Sequence, residues 1–141
     1  MTTTFDPHAL IAESRLGILA TIRKDGRPQL SPILPYYDRA AATIYVSVTD
    51  GRAKTANLRR DPRAAIEVTS ADGRAWATAD GDATLIGPGA DPHGPEVEAL
   101  VDYYRRAAGE HPDWDDYRAT MVADRRVLLA LHVTHVYGQA I

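Results

Sequence analysis

The chain contains no cysteine. That excludes disulfides, thiolate metal sites and a cysteine nucleophile. No apolar run approaches the roughly 20 residues that a membrane-crossing helix needs. Residues 1–7 show no basic region followed by an apolar core, so a soluble cytoplasmic protein without membrane attachment is expected. Lysine is scarce: of the 16 basic residues only Lys24 and Lys54 are lysine, the rest being arginine. This arginine- and alanine-rich usage fits a GC-rich genome of the actinobacterial kind and makes Lys54 an unusual choice. The net charge of −3, with no long basic run, argues against a nucleic-acid surface. With no repeats and no internal linker, residues 1–141 read as a single domain large enough for a hydrophobic core.

Periodicity and chain breakers divide the sequence. Asp6 and Pro7 read as a helix cap and first helical residue. Gly17–Ile22 is apolar and β-branched, and Asp25-Gly26 after it signals a hairpin. The partner strand, residues 28–37, holds Pro28, Pro32 and Pro35, which cannot donate to a ladder; it is expected at an edge or bulged. Ile44, Val46 and Val48 alternate with Thr43, Tyr45 and Ser47, the period of a half-buried strand. A helix over residues 52–60 ends at Asp61-Pro62. Strands at 64–69 and 75–86 flank a second Asp-Gly turn, and Gly81 predicts a bulge or bend. After a breaker-rich loop at 87–94, Val97, Leu100, Val101 and Tyr104 share a helical face that stops at Gly109. A helix at 115–123, an apolar strand at 126–133 and a short strand at 134–138 complete the chain. The order predicts a mainly β fold, a closed or nearly closed antiparallel barrel with flanking helices.

Chemistry concentrates in Arg52-Ala53-Lys54-Thr55-Ala56-Asn57. A helix start leaves backbone N–H groups unpaired and carries the positive end of the dipole, so it holds phosphate well. A guanidinium, an ammonium and a hydroxyl there add polar and charge-assisted contacts. Position alone favours plain solvated charges. Cations beside a positive dipole end are mismatched, however, unless an anion joins them. Asn57 sits one turn on, placed for an amide contact, while Arg59 and Arg60 read as surface charges.

Gln29 and Ser31 alternate along one strand and Ser47 lies on another; singly they are ordinary exposed positions, together a polar row for the edge of a planar cofactor. Trp76 reads as a core anchor by default, or as an aromatic wall. Capping and the dipole account for the acidic residues among His111, Trp114, Asp115, Asp116 and Tyr117. His132 and His135, three apart on a strand, are expected to face opposite sides. No metal-ligand spacing and no nucleophile triad is present in the sequence. No catalytic side chain or metal ligand is therefore assigned, and any chemistry comes with a cofactor.

Leu16-Gly-Ile-Leu-Ala-Thr-Ile22, Asp25-Gly-Arg-Pro-Gln-Leu-Ser31 and the Arg52–Ala64 stretch resemble the split β-barrel flavin/deazaflavin oxidoreductases related to pyridoxine 5′-phosphate oxidase. Ala108-Gly-Glu-His-Pro-Asp-Trp-Asp-Asp-Tyr117, Asp124-Arg-Arg-Val-Leu-Leu129 and His135-Val-Tyr-Gly138 resemble the mycobacterial-type subgroup that binds the deazaflavin coenzyme F420. The resemblance implies a Greek-key barrel and a homodimer with cofactor sites at the subunit interface. It implies that Arg52, Lys54 and Asn57 contact the cofactor phosphate, with Ala53 and Thr55 adding backbone or hydroxyl groups. Gln29, Ser31, Ser47 and Val48 would line the ring and linker, and Trp76 would come from the partner subunit. Arg59, Arg60 and Arg125 are candidates for an oligoglutamate tail. The implied activity is hydride transfer from reduced F420 to a small-molecule acceptor with an activated double bond or quinone-like ring. The alternatives are an FMN enzyme of the pyridoxine-phosphate-oxidase type and a cofactor carrier without turnover; haem and biliverdin binders also share the barrel.

Overall fold

The computed structural model describes residues 4–141, so the first three residues of the N-terminal stretch read above lie outside the described part. The elements are α1 (Pro7–Glu13), β1 (Gly17–Ile22), β2 (Pro28–Ile33), β3 (Tyr36–Asp38), β4 (Thr43–Thr49) and α2 (Ala53–Arg60). They continue as β5 (Arg63–Thr69), β6 (Ala75–Ile86), α3 (Pro95–Ala108), α4 (Trp114–Ala123) and β7 (Arg126–Ala140). Every strand pair is antiparallel, in the ladder order β2-β1-β5-β6-β7-β4-β3.

That order forces a barrel. A flat sheet of seven strands would hold its two edges about 29 Å apart. The edges here are β2 and β3, and only Leu34 and Pro35 lie between them. Three Cα steps reach about 11 Å at most. The sheet must therefore curl until its edges meet, closed by covalent chain where no ladder exists. The single strand expected over 28–37 is thus two, broken at Leu34-Pro35, where proline offers no N–H to a ladder. The proline-bearing β2 lies at an edge, as the sequence requires.

Inside the barrel, Leu19, Ile44, Val46, Ile66, Val68, Leu129 and Leu131 are fully buried and belong to one cluster. A second cluster forms where α3 and α4 cover the outside of β7: Val97, Leu100, Val101 and Tyr117 pack with Leu128. The first part of β7, residues 127–131, is consequently buried on both faces, which accounts for its unbroken apolar run. Asp113 caps α4 by accepting from the Asp116 N–H at 3.1 Å. The Tyr117 hydroxyl donates to the Leu100 carbonyl at 3.0 Å, and burial pushes its phenol up to about 12. Asp113→Ala is expected to lower unfolding free energy by about 1 kcal/mol, the usual value of an N-cap, measurable by urea denaturation.

The two terminal strands expected at 126–133 and 134–138 are one strand, β7, joined across a bulge. Asp80 pairs with His135 and Gly81 with Val133, leaving Thr134 as the extra residue. A Cβ on Gly81 would run into the His132 backbone carbonyl, so glycine is what lets the strands approach here. The bulge also changes parity. His132 pairs with Asp82 and His135 with Asp80, so both histidines lie on the same outer face rather than on opposite ones. His132 Nε2 is 2.7 Å from the Thr84 hydroxyl, and the His135 ring stacks on Tyr137.

Candidate functional site

The split in the barrel makes the site. β3 pairs only with Thr43–Tyr45 of β4, so β4 beyond Tyr45 has no ladder partner on that side. Across the gap, the pleat of β2 turns Gln29, Ser31 and Ile33 inward and leaves Pro28, Leu30 and Pro32 outside. A cavity of about 510 Å³ opens there. β2 contributes Gln29 and Ser31; β4 contributes Ser47, Val48 and Thr49; the start of α2 contributes Arg52, Ala53 and Lys54. Gly51, at φ +87°, turns the chain from β4 into the helix, whose N-cap is Arg52 without a side-chain cap bond. The first-turn N–H groups are therefore left for another acceptor.

One wall was not foreseen from sequence. Arg126, the first residue of β7, pairs with Thr49 and brings a third cation into the cavity. In the sequence its neighbour Arg125 is equally prominent, but Arg125 is tied to Asp50. The Arg126 Nε–H is buried without a hydrogen-bond partner, and so is the Ser31 hydroxyl. Buried polar atoms without partners are rare in folded proteins.

The electrostatics are one-sided. No carboxylate lines the cavity, and among the described residues neither Arg52 nor Lys54 joins an ion pair. Burial, then the charges of Arg52 and Arg126, hold the Lys54 ammonium below the ordinary lysine range. Three cations, a helix start and an unpartnered hydroxyl together fit a phosphate, which would relieve the mutual repulsion.

Seven of the sequence-predicted residues come together in this cavity: Gln29, Ser31, Ser47, Val48, Arg52, Ala53 and Lys54. Three do not line it. Thr55 is fully buried and donates to the Thr49 carbonyl at 2.9 Å, fastening α2 to β4. Asn57 donates to the Thr21 hydroxyl at 3.1 Å, and Thr21 donates to Gln29 Oε1 at 2.9 Å. This chain of bonds fixes the Gln29 side chain from beneath, so Thr21 and Asn57 act as supports of the wall. Trp76 is at the start of β6, edge-on to Tyr137 at 5.7 Å and outside the core cluster. The tail candidates are also engaged: Arg59 and Arg125 both bind Asp50, at 3.0 and 2.9 Å, and hold its carboxyl below the usual range. Arg60 donates to the Ile22 carbonyl and to Asn57.

The barrel and its split, with the cation-lined gap beside them, define a split β-barrel. Residues 8–140 match the pyridoxamine 5′-phosphate oxidase family, and the chain belongs to that family. Among solved structures it is similar to one called F420 reductase, at 23% identity and TM-score 0.65 over 92% of this chain and 94% of that one. It is similar to the conserved hypothetical protein Rv2991 from Mycobacterium tuberculosis, at 24% identity and TM-score 0.71, covering 94% of this chain and 81% of that one. A heme binding protein from Mycobacterium smegmatis matches at 22% identity and TM-score 0.68, over 94% of this chain and 52% of that one. At these identities the structural likeness concerns the fold. No described helix is long and apolar enough to cross a membrane.

Proposed function

We propose that the protein is an F420-dependent oxidoreductase. The observation that carries this reading is the pair Arg52 and Lys54 at the start of α2, neither in an ion pair among the described residues, with Arg126 of β7 and the unpartnered Ser31 hydroxyl in the same cavity. Arg52 and Lys54, with the first-turn N–H groups, would hold the phosphate of the cofactor. Gln29, Ser31 and Ser47 would hydrogen-bond its ring and linker, and Val48 would pack against it. When bound, reduced F420 supplies a hydride from C5 to an activated double bond or quinone-like acceptor. The protein binds, orients and keeps water out; no side chain is assigned a proton. The name of one structural relative, F420 reductase, favours the deazaflavin over FMN.

The test is binding of F420 and of FMN to protein purified without added cofactor, followed by cofactor fluorescence. Micromolar or tighter F420 binding with weak FMN binding is expected. The reverse result would sink the deazaflavin reading and make pyridoxine 5′-phosphate the first substrate to try. Tight F420 binding with no transfer to a panel of acceptors would identify a carrier.

The reading includes a homodimer. Ile18 of β1 is 36% exposed and Leu30 of β2 is 62% exposed, and their cross-strand partners on the same outer face are Pro32 and Ala20. Between β1, β5 and β6 that face holds a shallow cavity with apolar walls at Ala20, Ile22, Pro28 and Ala65 and charged residues Arg63, Asp80 and Asp82 along its border. An apolar sheet face of this kind calls for a cover, and a second copy supplies one. Leu30→Asp is expected to convert a dimer to a monomer in light scattering and to lower F420 affinity with it. A wild-type monomer would exclude this part of the reading.

A further inference from the structure

A chain of hydrogen bonds links the exposed end of α2 to the cavity, and it runs in one direction. The Arg60 guanidinium donates to Asn57 Oδ1 at 3.3 Å, Asn57 Nδ2 donates to the Thr21 hydroxyl at 3.1 Å, and that hydroxyl donates to Gln29 Oε1 at 2.9 Å. Gln29 lies directly opposite Thr21 in the β1–β2 ladder and forms part of the cavity wall.

The direction follows from the first group in the chain. A guanidinium carries donors and no acceptor. Arg60, held also by the Ile22 carbonyl, therefore obliges Asn57 to turn its oxygen outward and its NH2 group toward Thr21. Thr21 is 1% exposed, and the one hydrogen of its hydroxyl has Gln29 Oε1 as its acceptor. Were the Gln29 amide turned end for end, Thr21 would face N–H groups on both sides and its own hydrogen would be buried unpaired, which is costly. The amide oxygen of Gln29 is thus occupied from below. Its Nε2 carries two hydrogens; one reaches the Leu30 carbonyl at 3.3 Å, and the other is left for the cavity.

We propose that Arg60 is a positioning residue that sets Gln29 as a hydrogen-bond donor to the cavity, so that the guest must present an oxygen acceptor, a carbonyl or a ring-borne oxygen anion, beside β2. The proposal rests on the reading that this cavity is the cofactor site. It makes the preference of the charged and amide walls uniform: the guanidinium groups of Arg52 and Arg126 and the Lys54 ammonium donate, and across the gap Gln29 donates as well. The hydroxyls of Ser31, Ser47 and Thr49 can adapt to either partner. A guest with an N–H beside β2 meets a donor facing a donor. The guest is therefore selected by two acceptors, an anion at the start of α2 and an oxygen at Gln29.

The test inverts the chain. In Asn57→Asp the ionised carboxylate accepts from both Arg60 and Thr21. The Thr21 hydrogen then turns away from Gln29, whose amide rotates to donate back and shows its oxygen to the cavity. When the new carboxyl is protonated it donates to Thr21, and the wild-type direction returns. In the chain without cofactor, the Gln29 side-chain NH2 signals in a nitrogen–proton correlation spectrum are expected to move with pH as this carboxyl titrates, and to stay in place in wild type. Adding Thr21→Val is expected to abolish the movement, because the hydroxyl carries it; a field effect through space would persist. In the second readout, Asn57→Asp is expected to bind F420 about tenfold more weakly than wild type at neutral pH and to close that gap as pH falls. Arg60→Met is expected to lose F420 affinity about fivefold, and Arg60→Lys, which keeps a donor-only head, to stay within about twofold of wild type. This pair decides the matter if Asn57→Asp folds poorly. Gln29 signals that ignore the new carboxyl, movement that survives Thr21→Val, or equal F420 affinity in Arg60→Met and Arg60→Lys would overturn the proposal. If F420 fails to bind wild type while the Gln29 signals follow the expected pattern, the cofactor reading falls and the fixed donor stands.

Discussion

A Lys54→Met variant is expected to bind F420 about ten to a hundred times more weakly than wild type, the equivalent of roughly 1.5–3 kcal/mol for a hydrogen bond to a charged group. Without ligand, the same variant is expected to melt no lower than wild type, and higher at neutral pH. The two effects have one cause. Lys54 is partly buried and faces Arg52 and Arg126, so its charged form is penalised in the folded protein. With the folded-state pKa depressed, the unfolded chain binds more protons in the window between that value and the unperturbed 10.5. The penalty is therefore fully present below the depressed pKa and disappears as pH rises through the window. Removing the ammonium removes the penalty at neutral pH together with the anion contact. Fluorescence titration and a thermal melt on one preparation check both halves. Unchanged affinity would move the phosphate away from Lys54; a markedly lower melting temperature would show that the cation stabilises the free protein.

Gly81→Val is expected to cost about 3 kcal/mol or more of stability, near the exceptional end for one substitution. A Cβ at this position meets backbone, the His132 carbonyl, rather than a side chain that can swing aside. Relief requires β6 and β7 to part, and their ladder spans the longest strands of the barrel. The measurement is urea denaturation followed by far-UV circular dichroism, with Gly109→Ala as the comparison. Gly109, unlike Gly81, has positive φ, at 85°, and lies in open space, so a side chain there meets backbone strain without a collision. Equal losses at the two positions would show that the close approach at Gly81 matters little.

The sequence carried the local features well and the long-range ones unevenly. The cap at Asp6, the stop at Gly109 and the alternation of β4 are each written in a few adjacent residues, and the structure has them. The Gly81 bulge was legible too, but not its effect on a distant strand. Three-residue spacing sends two side chains to opposite faces only on an unbroken strand. The extra Thr134 restores His132 and His135 to one face, and its presence follows from pairing with β6. Arg126 escaped for a similar reason. Nothing local separates it from Arg125, and only the register with Thr49 turns one into the cavity while Asp50 holds the other. Thr55 and Asn57 lie in the motif-bearing helix, yet their side chains point to β4 and β1 because those faces of α2 meet the barrel. Adjacency in sequence placed them with Lys54; the 3.6-residue turn separated them.

The closure between β2 and β3 has an evolutionary meaning. A barrel sealed by a full ladder can change girth only by changing strand number or shear, which disturbs every pairing at once. Here the seam is the dipeptide Leu34-Pro35, and no hydrogen bond between strands crosses it. Lengthening, shortening or re-angling those two residues alters the width of the gap while leaving the other pairings as they are. Such a seam is a place where insertions and substitutions are cheap and their effect on the guest is large. A change confined to these two residues acts on the gap and spares the ladder around it.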